Sequence, residues 1–319
     1  MTSHLQTLIQ RVAGRHVLVV GDVILDEYLD GEALRISPEA PVPVLRFSGQ
    51  RAVLGGAANT AANVASLGGR ATLVGVVGED AAGTQIGRLC AEAGVRFSPI
   101  ADGRETTRKT RVISRQQQLL RIDYEDARPI DQACQARLLE VVRQHVGEAD
   151  IVVVSDYAKG LMTDATVAGV RRMAHEIGRV VVVDPRPRHA AFYSGCDYLT
   201  PNWREALGLL GADEVEPTPD AILTIGARLR DRFGAGVLLT LGARGMALFP
   251  RGTAPPLMTQ AEAREVFDVS GAGDTVVAAF ALALAGGCDP AAGVWLANRA
   301  AAVVVGKRGT AVVTPAELG

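Results

Sequence analysis

Residues 268–287 read DVSGAGDTVVAAFALALAGG. Gly271, Ala272 and Gly273 carry almost no side chain, and the run from Val277 to Ala285 is small enough for a helix to press closely onto a sheet before Gly286 and Gly287 close it. The free N–H groups of a first helical turn, with the helix dipole behind them, hold an anion. Negative charge gathers on a phosphoryl group during transfer, so a cradle of this kind suits phosphoryl chemistry. Asp274 stands just beyond the cradle. Its charge would not help phosphate to bind, but it fits a base that takes the proton of an attacking hydroxyl. Taken alone, the same letters also describe a glycine turn ahead of an Asp-capped helix.

Outward from this segment, apolar runs alternate with helical periodicity. His16–Gly21, Thr72–Val77, Ile151–Val154, Val180–Val183 and Val237–Leu241 read as strands buried on both faces, and Ala57–Leu67, Ala82–Glu92, Gln132–Gln144, Asp164–Glu176 and Ala221–Phe233 as helices between them. That pattern predicts an α/β fold, a mostly parallel sheet with helices on both sides. Two stretches break the rhythm, about 24–54 with Pro38, Pro41 and Pro43, and about 96–124 with two strands meeting around Ser114 and Arg115. In the second, Thr110, Val112, Gln116, Gln118 and Leu120 make no clean apolar face. The two excursions either pair into a small half-buried lid sheet or are long surface loops.

The chain has 319 residues with 33 basic and 35 acidic side chains, a net charge of −2, and no basic block. This balance argues against nucleic acid as a main partner. Cys90, Cys134, Cys196 and Cys288 are too scattered for a zinc site or a disulfide framework. The start, MTSHLQTLIQRVAG, lacks the basic-then-apolar pattern of a signal peptide, and no apolar run reaches membrane-spanning length. A single domain over 1–319, cytoplasmic and without a membrane partner, is the expectation.

With Gly55-Gly56-Ala57-Ala58-Asn59-Thr60-Ala61-Ala62-Asn63 near the start and Asp268–Phe280 near the end, the sequence resembles the ribokinase-like (PfkB) carbohydrate kinases over nearly its whole length. Val269 and Val276 stand where that family commonly has Thr and Phe. The segments GDVILDEYLDG from Gly21, RISPEAPVPVL from Arg35, TRKTRVISRQQQLLRIDYE from Thr107 and LTPNWREA from Leu199 look closer still to the members that act on a phosphorylated heptose. The resemblance implies a three-layer αβα core with a β-sheet lid, ATP as donor with Mg²⁺, a phosphorylated heptose as acceptor, and potassium held by backbone carbonyls near Asp268 and the last loop.

Residue by residue, the resemblance implies catalytic roles for Asp274 as base and for Gly271, Ala272 and Gly273 as anion cradle. Asp22, with Asp26 nearby, would take the sugar hydroxyls; Gly55 and Gly56 would let the backbone approach the sugar, and Asn59 would hydrogen-bond it. Asn63 either joins in or bonds internally. Strand alternation puts Lys109 and Arg111 on one face of the lid, the candidates for the sugar's own phosphate, and Arg108 on the other. A solvated basic face is the competing reading. Arg186, where the family more often has Lys or Asn, is a further phosphate contact. Asn202 and Glu205 match an Asn-x-x-Glu motif that holds Mg²⁺ through water, although the same spacing describes a helix capping box. Thr240, Gly242, Gly245 and Asn298 would line the nucleotide, with Gly271 and Gly273 beneath its phosphates. A half-apolar lid also predicts a homodimer. Other readings are a kinase of another sugar, a non-catalytic sugar-binding protein, for which Asp274 would have no use, and a nicotinamide-dependent dehydrogenase, which the absence of GxGxxG after the first strand disfavours.

Overall fold

The computed structural model describes residues 2–115, 117–262 and 266–319. In chain order the elements are α1 (Thr2–Val12), β1 (His16–Gly21), β2 (Val23–Ile36), β3 (Pro43–Gly56), α2 (Ala57–Ser66), β4 (Arg70–Val76), α3 (Ala81–Glu92), β5 (Val95–Ile100), β6 (Arg108–Ser114), β7 (Gln117–Tyr124), α4 (Gln132–Val146), β8 (Ile151–Ser155), α5 (Asp164–Glu176), β9 (Val180–Asp184), β10 (Tyr198–Leu199), α6 (Trp203–Leu210), α7 (Pro219–Phe233), β11 (Gly236–Thr240), β12 (Met246–Phe249), β13 (Leu257–Thr259), α8 (Ala272–Ala285) and α9 (Pro290–Val304).

The main sheet has the order β13-β12-β11-β10-β9-β8-β1-β4-β5. It is parallel from β11 to β5, with β12 and β13 added antiparallel at one edge. Successive residues of β1 face opposite sides, and all are buried. Val17 and Val19 pack into a core with side chains of α1, α2, α3, α8 and α9. Leu18 and Val20 pack into a second core with α4, α5, α6 and α7. The helices therefore lie on both faces, as the apolar strands require.

Helix α8 explains its own composition. Every residue from Asp274 to Ala283 is buried, so it presents no solvent face. A Cβ on Gly293 of α9 would come 2.9 Å from the Phe280 ring, so only small residues let the two helices approach this closely.

The excursions form a second sheet in the order β3-β2-β6-β7. It is built from 23–56 and 108–124, not from 24–54 and 96–124: residues 96–100 belong to β5, which pairs in parallel with β4 through Val95, Phe97 and their neighbours in the main sheet. The register sets Asp26 beside Lys109 and Tyr28 beside Arg111, which puts these four on one face. The other face carries Thr110, Val112, Leu120 and Ile122, with Phe47 beyond them opposite Gly31. A bulge after Val112 turns Gln118 onto the face of Ile113, which is why the alternation looked broken in the sequence. Gln116, one of the positions in that pattern, lies outside the described residues. Among the described residues, no helix is long and apolar enough to cross a membrane.

Candidate active site

From β1 the chain moves outward to β4 and β5, and it returns on the other side of β1 as β8. The crevice at the carboxyl ends of β1 and β8 is the place where an open α/β sheet takes its ligand. Asp22 and Tyr157 follow these two strand ends, and the first turn of α8 meets them there.

Asp274 is the third residue of α8, and it is buried. Its Oδ2 accepts from Asn59 Nδ2 at 2.7 Å, and its Oδ1 accepts from Thr60 Oγ1 at 3.3 Å and from the Tyr157 hydroxyl at 2.5 Å. The Asn59 side-chain oxygen accepts in turn from Asn63 Nδ2 at 3.2 Å, and Asn63 Oδ1 accepts from Thr275 Oγ1 at 3.0 Å. This ring of amides ties α2 to α8 and fixes the carboxylate's plane. Burial pushes the Asp274 carboxyl up to about 6; the donors Tyr157, Asn59 and Thr60 oppose the rise, and the charge of Asp26 adds to it. Such a group is ionised at neutral pH and basic enough to accept a proton.

Gly271 caps α8 in the left-handed region, with φ 78°. The N–H of Ala272 turns back onto Val269 O at 3.2 Å, so it does not join an anion cradle as the sequence suggested. Among the described residues, the N–H groups of Gly273 and Asp274 have no acceptor. A Cβ at Gly273 would meet nothing within 4 Å, which leaves open space over the helix start. At Gly271 a Cβ would lie 2.7 Å from Asn59 Nδ2, so this glycine makes room for the donor on Asp274.

The pfkB carbohydrate kinase family profile matches residues 15–317. The chain belongs to the pfkB family of carbohydrate kinases. It is 45% identical over 311 residues to a D-beta-D-heptose 7-phosphate kinase of Bordetella bronchiseptica, covering 97% of this chain and 96% of that protein. It is 44% identical to the bifunctional protein HldE of Mesorhizobium japonicum and 46% identical to that of Caulobacter vibrioides, covering 98% and 100% of this chain. It spans only 63% and 65% of the length of those two bifunctional relatives. Among solved structures, an Arabidopsis thaliana ribokinase complexed with ribose and ATP is 26% identical with a TM-score of 0.75, covering 96% of this chain and 97% of that one. Escherichia coli phosphofructokinase-2 shares the fold, with a TM-score of 0.80 at 20% identity and the same coverage.

On the acceptor side of this pfkB fold, the structure corrects one expectation. Both oxygens of Asp22 are engaged by backbone: Oδ2 accepts from the N–H of Tyr157 at 2.8 Å and Lys159 at 3.1 Å, and Oδ1 from Leu161 at 3.3 Å. Asp22 therefore holds the loop after β8, where contact with the sugar hydroxyls was expected. Asp26 shares a lid face with Lys109 and is near enough to Asp274 for its charge to raise that carboxyl's pKa. Its Oδ1 accepts from Arg111 at 2.7 Å and its Oδ2 from Thr310 Oγ1 at 3.2 Å. A Cβ at Gly55 would fall 2.4 Å from Asp26 Oδ2, so that glycine serves the carboxylate first. Gly56 has φ 56°, and a Cβ there would meet Asp22 O at 2.6 Å. Arg111 is committed to Asp26. Lys109 has no carboxylate partner among the described residues; its ammonium lies 6.0 Å over the Tyr157 ring. Burial and the neighbouring Lys159 hold its pKa below the usual lysine range. Arg108 is on the opposite face, 3.7 Å from Glu27.

Of the residues expected on the nucleotide side, Asn202 and Glu205 close the capping box of α6: Asn202 Oδ1 accepts from Glu205 N, and Glu205 Oε2 from Asn202 N, both at 2.9 Å. Glu205 also pairs with Arg186, whose guanidinium lies 4.6 Å over the Tyr157 ring. The buried Asp184 carboxyl is raised well above the usual range by burial and then by the charge of Glu205. Among the described residues, no group of three or more His, Cys, Asp or Glu could hold a metal by itself. Asp184 and Glu205 nonetheless fit an ion whose remaining ligands are waters and phosphate oxygens, because a cation would relieve their mutual repulsion. Thr240 and Gly242 line an open cleft with Asn202, Trp203 and Leu207. Gly245 has a different task, since a Cβ there would strike Thr259 O at 2.0 Å. Asn298 Nδ2 donates to Gln260 O at 2.7 Å and so anchors the segment after β13. Asp268 accepts from Ser270 N and Gly309 N, both at 2.9 Å, joining the start of α8 to the last loop.

Tyr157 and Asp26 are the site residues the sequence reading passed over or put second. Ser155-Asp156-Tyr157-Ala158-Lys159-Gly160 directly follows a buried strand, and its place at a strand's carboxyl end was the available signal.

Proposed function

We propose that this chain transfers the γ-phosphoryl group of ATP to O1 of D-glycero-β-D-manno-heptose 7-phosphate, giving the heptose 1,7-bisphosphate and ADP. The observation that carries the chemistry is the buried Asp274, with its pKa near 6, beside the open first turn of α8. The acceptor hydroxyl is a weak nucleophile until Asp274 takes its proton. The N–H groups of Gly273 and Asp274 then face the charge growing on the phosphoryl oxygens. Mg²⁺, held through water by Glu205 and Asp184, would neutralise charge on the nucleotide phosphates. Arg186 stands beside those carboxylates as a second positive group, and Thr240 and Gly242 line the nucleotide cleft. The substrate reading rests on the near end-to-end match to the Bordetella protein. It is supported by Lys109, a partly buried cation with no carboxylate partner among the described residues, which suits the phosphate that the acceptor already carries. In the same reading the product feeds ADP-heptose and lipopolysaccharide core synthesis in the cytoplasm, potassium binds near Asp268, and two copies pair through their lids. An assay of ADP release with Mg²⁺, with and without potassium, over a panel of sugars and sugar phosphates tests it. Turnover should require a heptose 7-phosphate. Strong turnover of ribose or fructose with none of the heptose phosphate would overturn the substrate.

A further inference from the structure

The loop that follows β8 is held in an unusual way. Ala158 adopts a left-handed φ of 56°, and Gly160 has φ 94° with no room for a Cβ, which would fall 2.0 Å from Arg128 O. Contacts from the N–H groups of Tyr157, Lys159 and Leu161 to the Asp22 carboxylate, and one from Ala158 N to Asp156 Oδ1 at 2.7 Å, pin the backbone there. Asp156 is itself buried and accepts from His189 Nδ1 and from the Tyr193 hydroxyl, both at 2.7 Å. This much backbone restraint on a loop, with one non-glycine residue in a costly conformation, has one visible product: the Tyr157 hydroxyl is set 2.5 Å from Asp274 Oδ1.

We propose that Tyr157 is a positioning residue for the transfer, whose phenol holds the Asp274 carboxylate in its ionised form and in one orientation, and whose ring links that carboxylate to cations on the lid and on the nucleotide side. The inference rests on the reading of Asp274 as the base. The hydroxyl acts as donor in this pair, because burial and then the charge of Asp274 raise the Tyr157 pKa well above its ordinary value and keep the phenol protonated. Lys109 from β6 and Arg186 after β9 both lie over the ring, at 6.0 and 4.6 Å. Binding of the acceptor's phosphate at Lys109, or of nucleotide near Arg186, therefore bears on the same aromatic ring that holds the base.

The other groups facing Asp274 set the direction of the test. Asn59 and Thr60 of α2 donate to it, and Asp26 of β2 opposes its ionisation. Asp184 at the end of β9 is close enough for the charge of Asp274 to raise its own pKa. Tyr157→Phe removes a bond that only the carboxylate form profits from, so the Asp274 pKa rises. The rate depends on the ionised form, so the acid limb of the kcat profile should move up by about one pH unit, the size expected for a lost hydrogen bond to a charged group. The rate below the limb should fall about tenfold, and much of it should return by pH 8.5 to 9. A purely structural role would instead lower the rate evenly at every pH. Fluorotyrosine placed at residue 157 keeps the ring and donates more strongly, so it should move the limb down, and it serves if the Phe variant does not fold. An acid limb unmoved in both proteins overturns the inference. Asp274→Asn run in parallel separates the two ideas: near-normal turnover there would remove the base itself, whereas a dead Asn variant with an unmoved limb in the position-157 proteins removes only the role of Tyr157.

Discussion

Asp274 carries a conflict between stability and function. Its folded pKa lies above the ordinary value of 3.8, near 6. The stability linked to its protonation is therefore fully present below 3.8 and lost as pH rises through about 6. At pH 8 the protein keeps a buried charge that folding disfavours. Asp274→Asn retains the shape and drops the charge. Its kcat should fall by about 10²–10⁴, with ATP affinity held or improved. Its unfolding free energy at pH 8, read from urea denaturation, should rise by on the order of 1–3 kcal/mol, and the advantage should shrink as pH falls below 6. A variant that turns over normally, or that is less stable at pH 8, contradicts this account. Lys109 and Arg111 separate at the same scale. Lys109→Ala should weaken the phosphorylated acceptor about ten- to a hundredfold and leave the KM for ATP alone. Arg111→Ala should also cost stability, because it strands the buried Asp26 carboxylate. Equal small changes in both Michaelis constants for Lys109→Ala would make that lysine solvated surface.

The start of α8 shows two glycines with unlike reasons. Gly271 needs its positive φ and the space that Asn59 fills, whereas Gly273 has neither demand. Gly271→Ala should lose about 1–3 kcal/mol of stability and much of its activity, through strain and a displaced Asn59. Gly273→Ala should fold normally, since its Cβ meets only open space. If nucleotide phosphate occupies that space, its KM for ATP should rise several-fold. Thermal denaturation and steady-state kinetics on the pair decide the matter, and an unchanged KM for the Gly273 variant would take the phosphate away from this turn. The same element explains why Asp274 and Asn59 are so well aligned. Both sit on first turns of helices, α8 and α2, that pack against each other, so the amide ring joining them is built from rigid parts.

At the scale of the molecule, the lid is a sheet whose face turned from Asp26 carries exposed apolar side chains beside the Arg108–Glu27 pair. Phe47 is 61% exposed, Leu120 49% and Ile122 38%, all on the face turned away from Asp26 and Lys109. In the proposed dimer, two lids meeting would cover this patch. Sedimentation should find a dimer at micromolar concentration, and the double variant Phe47→Asp, Ile122→Asp should be monomeric with its secondary structure intact. A monomer at every accessible concentration in the unaltered chain would remove the interface.

Residue order alone was enough for the parallel core, because strands buried on both faces need an apolar run and Val17–Val20, Ile151–Val154 and Val181–Val183 supply one in β1, β8 and β9. It was enough as well for α8 and for Asp274 beside its glycines, since helix caps and left-handed turns are local demands. It was not enough for the edges. Residues 96–100 read like the neighbouring lid, and only their pairing with β4 placed them in the main sheet. Nor could it divide the work among carboxylates and cations. Asp22 and Asp26 are four residues apart on the same approach to the lid, and what separates them is which partners folding brings: backbone N–H groups from the loop after β8 for the one, Arg111 and Thr310 for the other. Tyr157 is the plainest case. Its hydroxyl meets Asp274 across 117 residues of sequence, a contact made only because β8 closes the sheet beside β1 and α8 packs over both. Local physics writes the elements; the long-range contacts that tune a buried carboxylate exist only once the sheet has closed.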